Sequence, residues 1–398
     1  MAQYFTERLQ KVFHMIFRSY NQKAAQEGLR QLELIVNNQQ DAVSTDHRAL
    51  RNDMSTLLES EINTKEDALT IANDPEAREL GDAYALLARV YAGPRFTWEE
   101  SNFPEDNMRT YQCLHDSIRR CSPIGTLQAL RINGTITPTV EKDMLISFND
   151  AFHIVYDYAK QGDAFCQYII GNVFFWRDDD RISLARDMIT PPRLSLAKRI
   201  QQSLQKGSIQ ERISTLQGTV SDETLQENAT TFAKEWFNKA LNNGLAMFQG
   251  NLRNIYIDEG DFDNARRVAL TAAELGNPTM MLYTGLDCHE HGKFEDAFTW
   301  FTKGAALGQA ESTAELADYY YHFYDTKELR RLIPYNPVKA IGLYRRAATK
   351  HFSDAGYAAL QAAFGYIFHI GHLPLDWGLI ADLTHMAATK ERFMFSLP

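Results

Sequence analysis

The densest set of metal-capable side chains in the chain is Cys288-His289-Glu290-His291. A cysteine and a nearby histidine on one helix can share an ion, but zinc takes three or four ligands. No second Cys-x-x-Cys or His-x-x-x-His lies near this run. Cys288 also stands 32 residues from both Tyr256 and Tyr320, large residues of core type, so a core cysteine beside helix-end histidines is the favoured reading. His369 and His372 bracket Gly371 and suit a helix C-terminus, where a cation complements the dipole. Asp178-Asp179-Asp180 reads as the start of an insertion that caps a helix at 181, with a bound cation or a basic partner as the alternative. Phosphate-loop, nucleophile-elbow and zinc-protease motifs are all missing. The expectation is a non-enzyme with no catalytic residue, no cofactor and no metal.

What positions side chains in this chain is a glycine ladder. Glycine falls at 244, 260, 276, 292 and 308, one every sixteen residues. Sixteen residues make one short helix and its turn, and glycine just past a helix end takes the left-handed geometry that a Cβ resists. Four helices are therefore expected in series, over 245–259, 261–275, 277–291 and 293–307. Upstream, Phe5, Leu9, Val12, Phe13, Ile16 and Phe17 form one apolar stripe in a helix expected from Tyr4 to Val36. That helix reads as an end cap, with a membrane-surface or partner-binding helix as the alternative. A polar helix is expected over 41–64, a helix start at Asp74-Pro75, and a loop at Thr135–Thr139.

At 398 residues the chain exceeds the usual single domain, yet arrays of stacked hairpins grow without that limit. Hydrophobic content of 44% and aromatic content of 12% supply a continuous core. Net charge of −10 argues against general affinity for nucleic acid or an anionic membrane. Cys113, Cys121, Cys166 and Cys288 have no regular spacing and read as reduced, packed thiols of a reducing compartment. No run of eighteen apolar residues suggests a membrane span, and the N-terminus lacks signal-peptide character, so a cytoplasmic location is expected.

Aligned on their glycines, FAKEWFNKALNNGLAMFQGNLRNIY, DAFTWFTKGAALGQAESTAELADYY and KAIGLYRRAATKHFSDAGYAALQAA share one pattern. Alanine precedes an aromatic pair, then Lys/Arg-Ala, then the glycine or its substitute. Alanines fit where helices approach closely and the aromatics fill the space between hairpins. These segments resemble the Sel-one-like repeat, a relative of the tetratricopeptide repeat. Residues 296–316 fit its pattern nearly throughout, and 158–175 and 76–91 fit its second half. Gly81, Cys121, Gly162, Gly244, Gly276, Gly308 and His351 are taken as equivalent positions. The resemblance implies an all-α fold, a right-handed α-α superhelix of helical hairpins, and an adaptor without enzymatic activity.

Five segments are expected: a divergent N-terminal cap (1–64), degenerate repeats (65–176), a partly flexible insertion (177–230), regular repeats (231–370) and a C-terminal capping helix (371–398). In such arrays the inner helix of each hairpin lines the concave face. Asn251, Arg253, Asn254, Glu311, Glu315, Asp318, Tyr319 and Gln361 are the candidates for binding a partner there. Trp98, Phe96, Phe103 and the aromatic helix end Tyr319–Tyr324 are further candidates, since exposed aromatics anchor partners. The expected partner is another protein or an extended peptide, with no nucleic acid and no membrane span. The alternative is a bacterial regulator or secreted effector acting through its cap or its insertion.

Overall fold

All five ladder glycines sit in the left-handed region, with φ of 81°, 74°, 102°, 72° and 94° along the chain. The computed structural model describes residues 3–45, 64–132, 142–192, 195–210, 212–213, 220–247, 249–324, 326–350 and 354–391. At Gly276 the turn is a full Schellman motif: Asn277 N–H donates to Ala272 O and Gly276 N–H to Ala273 O, both at 3.0 Å. The next residue then caps the following helix, as Met280 N–H donates to Asn277 Oδ1 at 3.0 Å. Cys121 performs the same turn at φ 55°, with Ser122 N–H donating to Ser117 O at 3.2 Å. It stands where glycine would, as its alignment with the ladder predicts.

Contacts divide the chain into two units, Met1–Leu245 and Ala246–Pro398, each built of antiparallel helix pairs. Among the described residues no strand occurs. The first unit contains α1 (Glu7–Phe17), α2 (Gln22–Thr45), α3 (Lys65–Asn73), α4 (Glu79–Tyr91), α5 (Asn107–Ile118), α6 (Pro123–Ile132), α7 (Phe148–Lys160), α8 (Ala164–Phe175), α9 (Ser183–Ile189), α10 (Leu196–Ser203) and α11 (Asp222–Asn242). The second contains α12 (Gly250–Asp258), α13 (Phe262–Glu274), α14 (Pro278–Glu290), α15 (Phe294–Ala306), α16 (Ala310–Tyr321), α17 (Lys327–Leu332), α18 (Pro337–Ala348), α19 (Ala355–Ile367) and α20 (Trp377–Glu391). Successive helices pack as neighbours, most tightly where a second helix of one pair meets the first of the next: α8 on α11, α14 on α15, α16 on α18.

Small residues set that closeness. A Cβ on Gly171 would stand 2.5 Å from the Phe237 ring, and one on Gly285 would stand 2.6 Å from the Phe301 ring. Both glycines are the ninth residue past a helix-ending glycine, Gly162 and Gly276. Phe301 is fully buried and has no room to yield. Gly285→Ala is therefore expected to destabilise the second unit by about 1–3 kcal/mol, the usual cost of overpacking, as a lower urea midpoint. A neutral result would show that α14 and α15 can slide apart.

Several expected elements differ. The N-terminal helix is two, broken at residues 18–21, where Tyr20 takes φ 47°. Gly81 is not a helix-ending glycine but lies inside α4, where a Cβ would meet the Arg120 carbonyl oxygen at 2.8 Å. Asp74-Pro75 opens a turn rather than a helix, and α4 begins only at Glu79. Gly250, not residue 245, starts α12, and the connection between α16 and α18 contains a further short helix, α17, with Leu329 buried. In the segment 177–230 the structure has α9, α10 and, from Asp222, the first turns of α11. The Thr135–Thr139 loop, most of the 41–64 helix and His351 lie outside the described residues.

Candidate functional site

The left-handed residue that ends each first helix sets a register for the second. The third and seventh residues after it share one face of that second helix. In the first unit these are Ile124 and Gln128 on α6, counted from Cys121, and Phe165 and Ile169 on α8, counted from Gly162. All four are buried. In the second unit the same count from Gly276 and Gly308 gives Thr279 and Tyr283 on α14 and Glu311 and Glu315 on α16. All four of these are partly exposed. One face is mostly apolar and buried; the other is more polar and part-exposed.

The N-terminal segment is what covers the first. Phe5 and Phe13 lie 5.8 and 4.8 Å from the Phe165 ring, centroid to centroid. Tyr4 Oη accepts from Ile124 N–H at 3.3 Å and donates to Asp82 Oδ1 at 3.2 Å. The Tyr4 N–H donates to Asp163 Oδ2 at 3.0 Å. Trp98 Nε1–H donates to Ile16 O at 2.8 Å, and Arg18 Nη2 donates to Asn243 O at 3.1 Å, across the end of α11. Beneath the helix, Asp82 receives Arg78 Nε at 3.1 Å and the Ser122 hydroxyl at 2.6 Å, and burial raises its pKa to about 6. The apolar stripe of α1 is thus spent on its own chain, which sets aside a free membrane-surface role for it. The helix packs on α2, touches α4 and reaches α8 through Phe13.

The open face is chemically different. Glu315 accepts from Tyr324 Oη at 2.8 Å, and burial raises its pKa. Glu311 accepts from Gln309 Nε2 at 3.1 Å. Asp318, one turn behind them, is buried and accepts from Tyr344 Oη; burial pushes it up to about 7. Asp354 adds to the negative field at Glu315. On the neighbouring pair the Arg253 guanidinium lies 3.9 Å over the Tyr283 ring, joining α12 to α14. The face therefore carries two partly exposed carboxylates beside aromatic rings.

Of the eight residues picked from sequence, Glu311, Glu315 and Asp318 converge on α16, with Gln361 partly exposed on α19. Asn251 and Asn254 lie on α12, with Arg253 reaching Tyr283. Tyr319 is a correction: it is fully buried, packs on Phe301 and bonds His289 Nδ1 through its hydroxyl at 2.7 Å, so it is core. Asp318 lies too deep to meet a partner directly. Trp98 and Phe103 are likewise buried, and Phe96 is half-buried near Arg89, while Phe323 is exposed. Tyr283 and Thr279 escaped notice, although counting seven and three from Gly276 would have found them.

Other expected chemistry is accounted for inside the chain. Asp178 accepts from Arg131 Nε at 3.0 Å, and Asp179 from Arg177 at 2.9 Å and Arg186 at 2.6 Å, so the acidic run is paired with arginines of its own chain. His289 packs against Tyr324, with ring centroids 4.2 Å apart, and burial lowers its pKa. His291 Nδ1 lies 2.7 Å from Asp287 O. Burial raises the thiol pKa of Cys113 to about 12 and of Cys121 to about 11, and also raises those of Cys166 and Cys288. No helix among the described residues is long and apolar enough to cross a membrane.

Helix pairs joined by left-handed turns, repeated along both units, define an all-α helical-repeat protein. No family model matches the chain, and no curated protein matches it in sequence. Among solved structures, a Sel1 repeat protein from Oxalobacter formigenes aligns over 98% of this chain and 86% of its own, at 15% identity and a TM-score of 0.43. A protective antigen of uropathogenic Escherichia coli displaying an SLR fold aligns over the same shares, at 14% identity and a TM-score of 0.33.

Proposed function

We propose that this chain is a non-enzymatic interaction scaffold whose partner protein or peptide seats on the open face of the second unit. One observation carries the reading. The same register is buried in the first unit, where Phe165 lies against Phe5 and Phe13 and Ile124 bonds Tyr4, and is part-exposed in the second at Thr279, Tyr283, Glu311 and Glu315. The covered face serves as an internal example of what such a surface holds: the aromatic side chains of an N-terminal segment, Tyr4, Phe5 and Phe13. Carboxylates beside tyrosines favour a lysine or arginine of the partner. Asp82 and Asp318, the carboxyls raised to about 6 and about 7, are buried and bonded to tyrosines, an arrangement that supports holding structure over performing catalysis. Buried thiols with raised pKa values suit the cytoplasmic location expected from sequence.

Photo-crosslinking groups placed at Thr279 and Glu311, followed by capture from the native source, should trap one partner at both positions. The same groups at Asp263 and Thr299, exposed on α13 and α15, should trap nothing in common. Glu311→Lys is expected to weaken the captured complex about tenfold or more, the scale of one reversed charge at an interface. Crosslinks confined to α13 and α15 would overturn the reading.

A further inference from the structure

The apolar side of α10 is uncovered. Leu196 and Ile200 on the helix and Leu204 at its C-cap fall four residues apart on one side and are 59%, 45% and 72% exposed. Past Gly207, Ile209 and Ile213 are exposed as well. The contrast with α1 is instructive, since a stripe of the same kind is wholly buried there. On α10 only Ser203 is buried and Arg199 is partly so, while the other residues, the large aliphatic ones among them, face solvent.

Charge says what covers it. From Ser195 to Ile213 the sequence has four cations, Lys198, Arg199, Lys206 and Arg212, against one carboxylate, Glu211. The whole chain has a net charge of −10, so the segment inverts the sign of the protein that holds it. Lys198 and Lys206 are exposed, and Arg212 Nε donates to the Lys206 carbonyl at 2.8 Å. Pairing with the α10 of a second copy would set cation against cation. A surface that is negative, broad and apolar just beneath its charge fits both halves of the pattern. Aliphatic side chains enter the acyl boundary of a bilayer while the ammonium groups meet lipid phosphates.

We propose that α10 is an interfacial helix that docks this protein on an anionic phospholipid surface, leaving the open face of the second unit to its partner. The full chain is to be floated with vesicles of phosphatidylcholine alone and of phosphatidylcholine with one quarter phosphatidylglycerol. It should partition to the anionic vesicles at least tenfold more than to the neutral ones, and lose that gain in 0.5 M salt, because screening shortens the reach of the cations. Leu204→Glu, at an exposed position, should lose binding by tenfold or more while its circular dichroism and unfolding midpoint stay unchanged. Phe262→Glu, exposed on α13, should bind as the parent does. No gain with anionic lipid, or unchanged flotation of Leu204→Glu, would overturn the proposal. So would concentration-dependent self-association that Leu204→Glu abolishes without any vesicle binding, which would give the stripe to a second copy.

Discussion

Replacing Arg78 with alanine is expected to destabilise the first unit by about 3–5 kcal/mol, the range for removing one partner of a buried ion pair. Arg78 has no exposed surface. Its Nε donates to Asp82 Oδ2 at 3.1 Å, Nη1 to Ala72 O at 2.8 Å and Nη2 to Tyr4 O at 2.7 Å. Its guanidinium lies 4.1 Å over the Tyr4 ring. Alanine would strand a buried carboxylate and two carbonyls together, which costs more than the pair contributes over an apolar pair of equal volume. Arg78→Lys should rescue only part of the loss, because an ammonium lacks the planar fork that reaches all three acceptors. Urea unfolding followed by circular dichroism measures both variants. Since two of the three acceptors lie on or beneath the N-terminal segment, limited proteolysis of Arg78→Ala should cut first at residues 18–21. A loss below about 1 kcal/mol, the scale of an exposed pair, would remove Arg78 as the anchor of α1.

This anchor illustrates which parts of the molecule the sequence discloses. The ladder glycines are legible because a left-handed turn is a local demand met by a local residue, and all five take it. Gly81 misleads because glycine also serves close approach, here to the Arg120 carbonyl, and one letter covers both uses. The second-helix register was present in the spacing, yet which face stays open was not. Ile124 and Phe165 are covered by residues more than a hundred positions away in sequence. The stripes of α1 and α10 make the same point in reverse: similar patterns meet opposite fates, and only tertiary contact separates them. Tyr319 resembles its neighbour Phe323 on paper, but His289 and Phe301 take it into the core while Phe323 stays in solvent.

Asp318→Asn is expected to stabilise the second unit above pH 7 and to change it little near pH 4. Burial is the main cause that lifts the Asp318 carboxyl from an ordinary 3.8 to about 7, and Glu315 and Asp354 add to it. The hydroxyls of Tyr344 and Tyr357 pull the other way. Between pH 4 and 7 the folded chain therefore keeps a proton that the unfolded chain has released. Stability must fall as pH rises through that window and level off above it. At about 1.4 kcal/mol per unit, the displacement corresponds to about 4 kcal/mol, an upper bound that relaxation around the carboxylate reduces to about 2–3. Asparagine carries no charge to bury and keeps an oxygen for the Tyr344 hydroxyl, so the variant removes the titration and keeps the hydrogen bond. Unfolding free energies of parent and variant at pH 4, 6 and 8 would then converge at the acid end and separate at the alkaline end. A constant difference across the three values would mean that Asp318 titrates as an ordinary carboxylate, and that water reaches α16 behind Glu311 and Glu315.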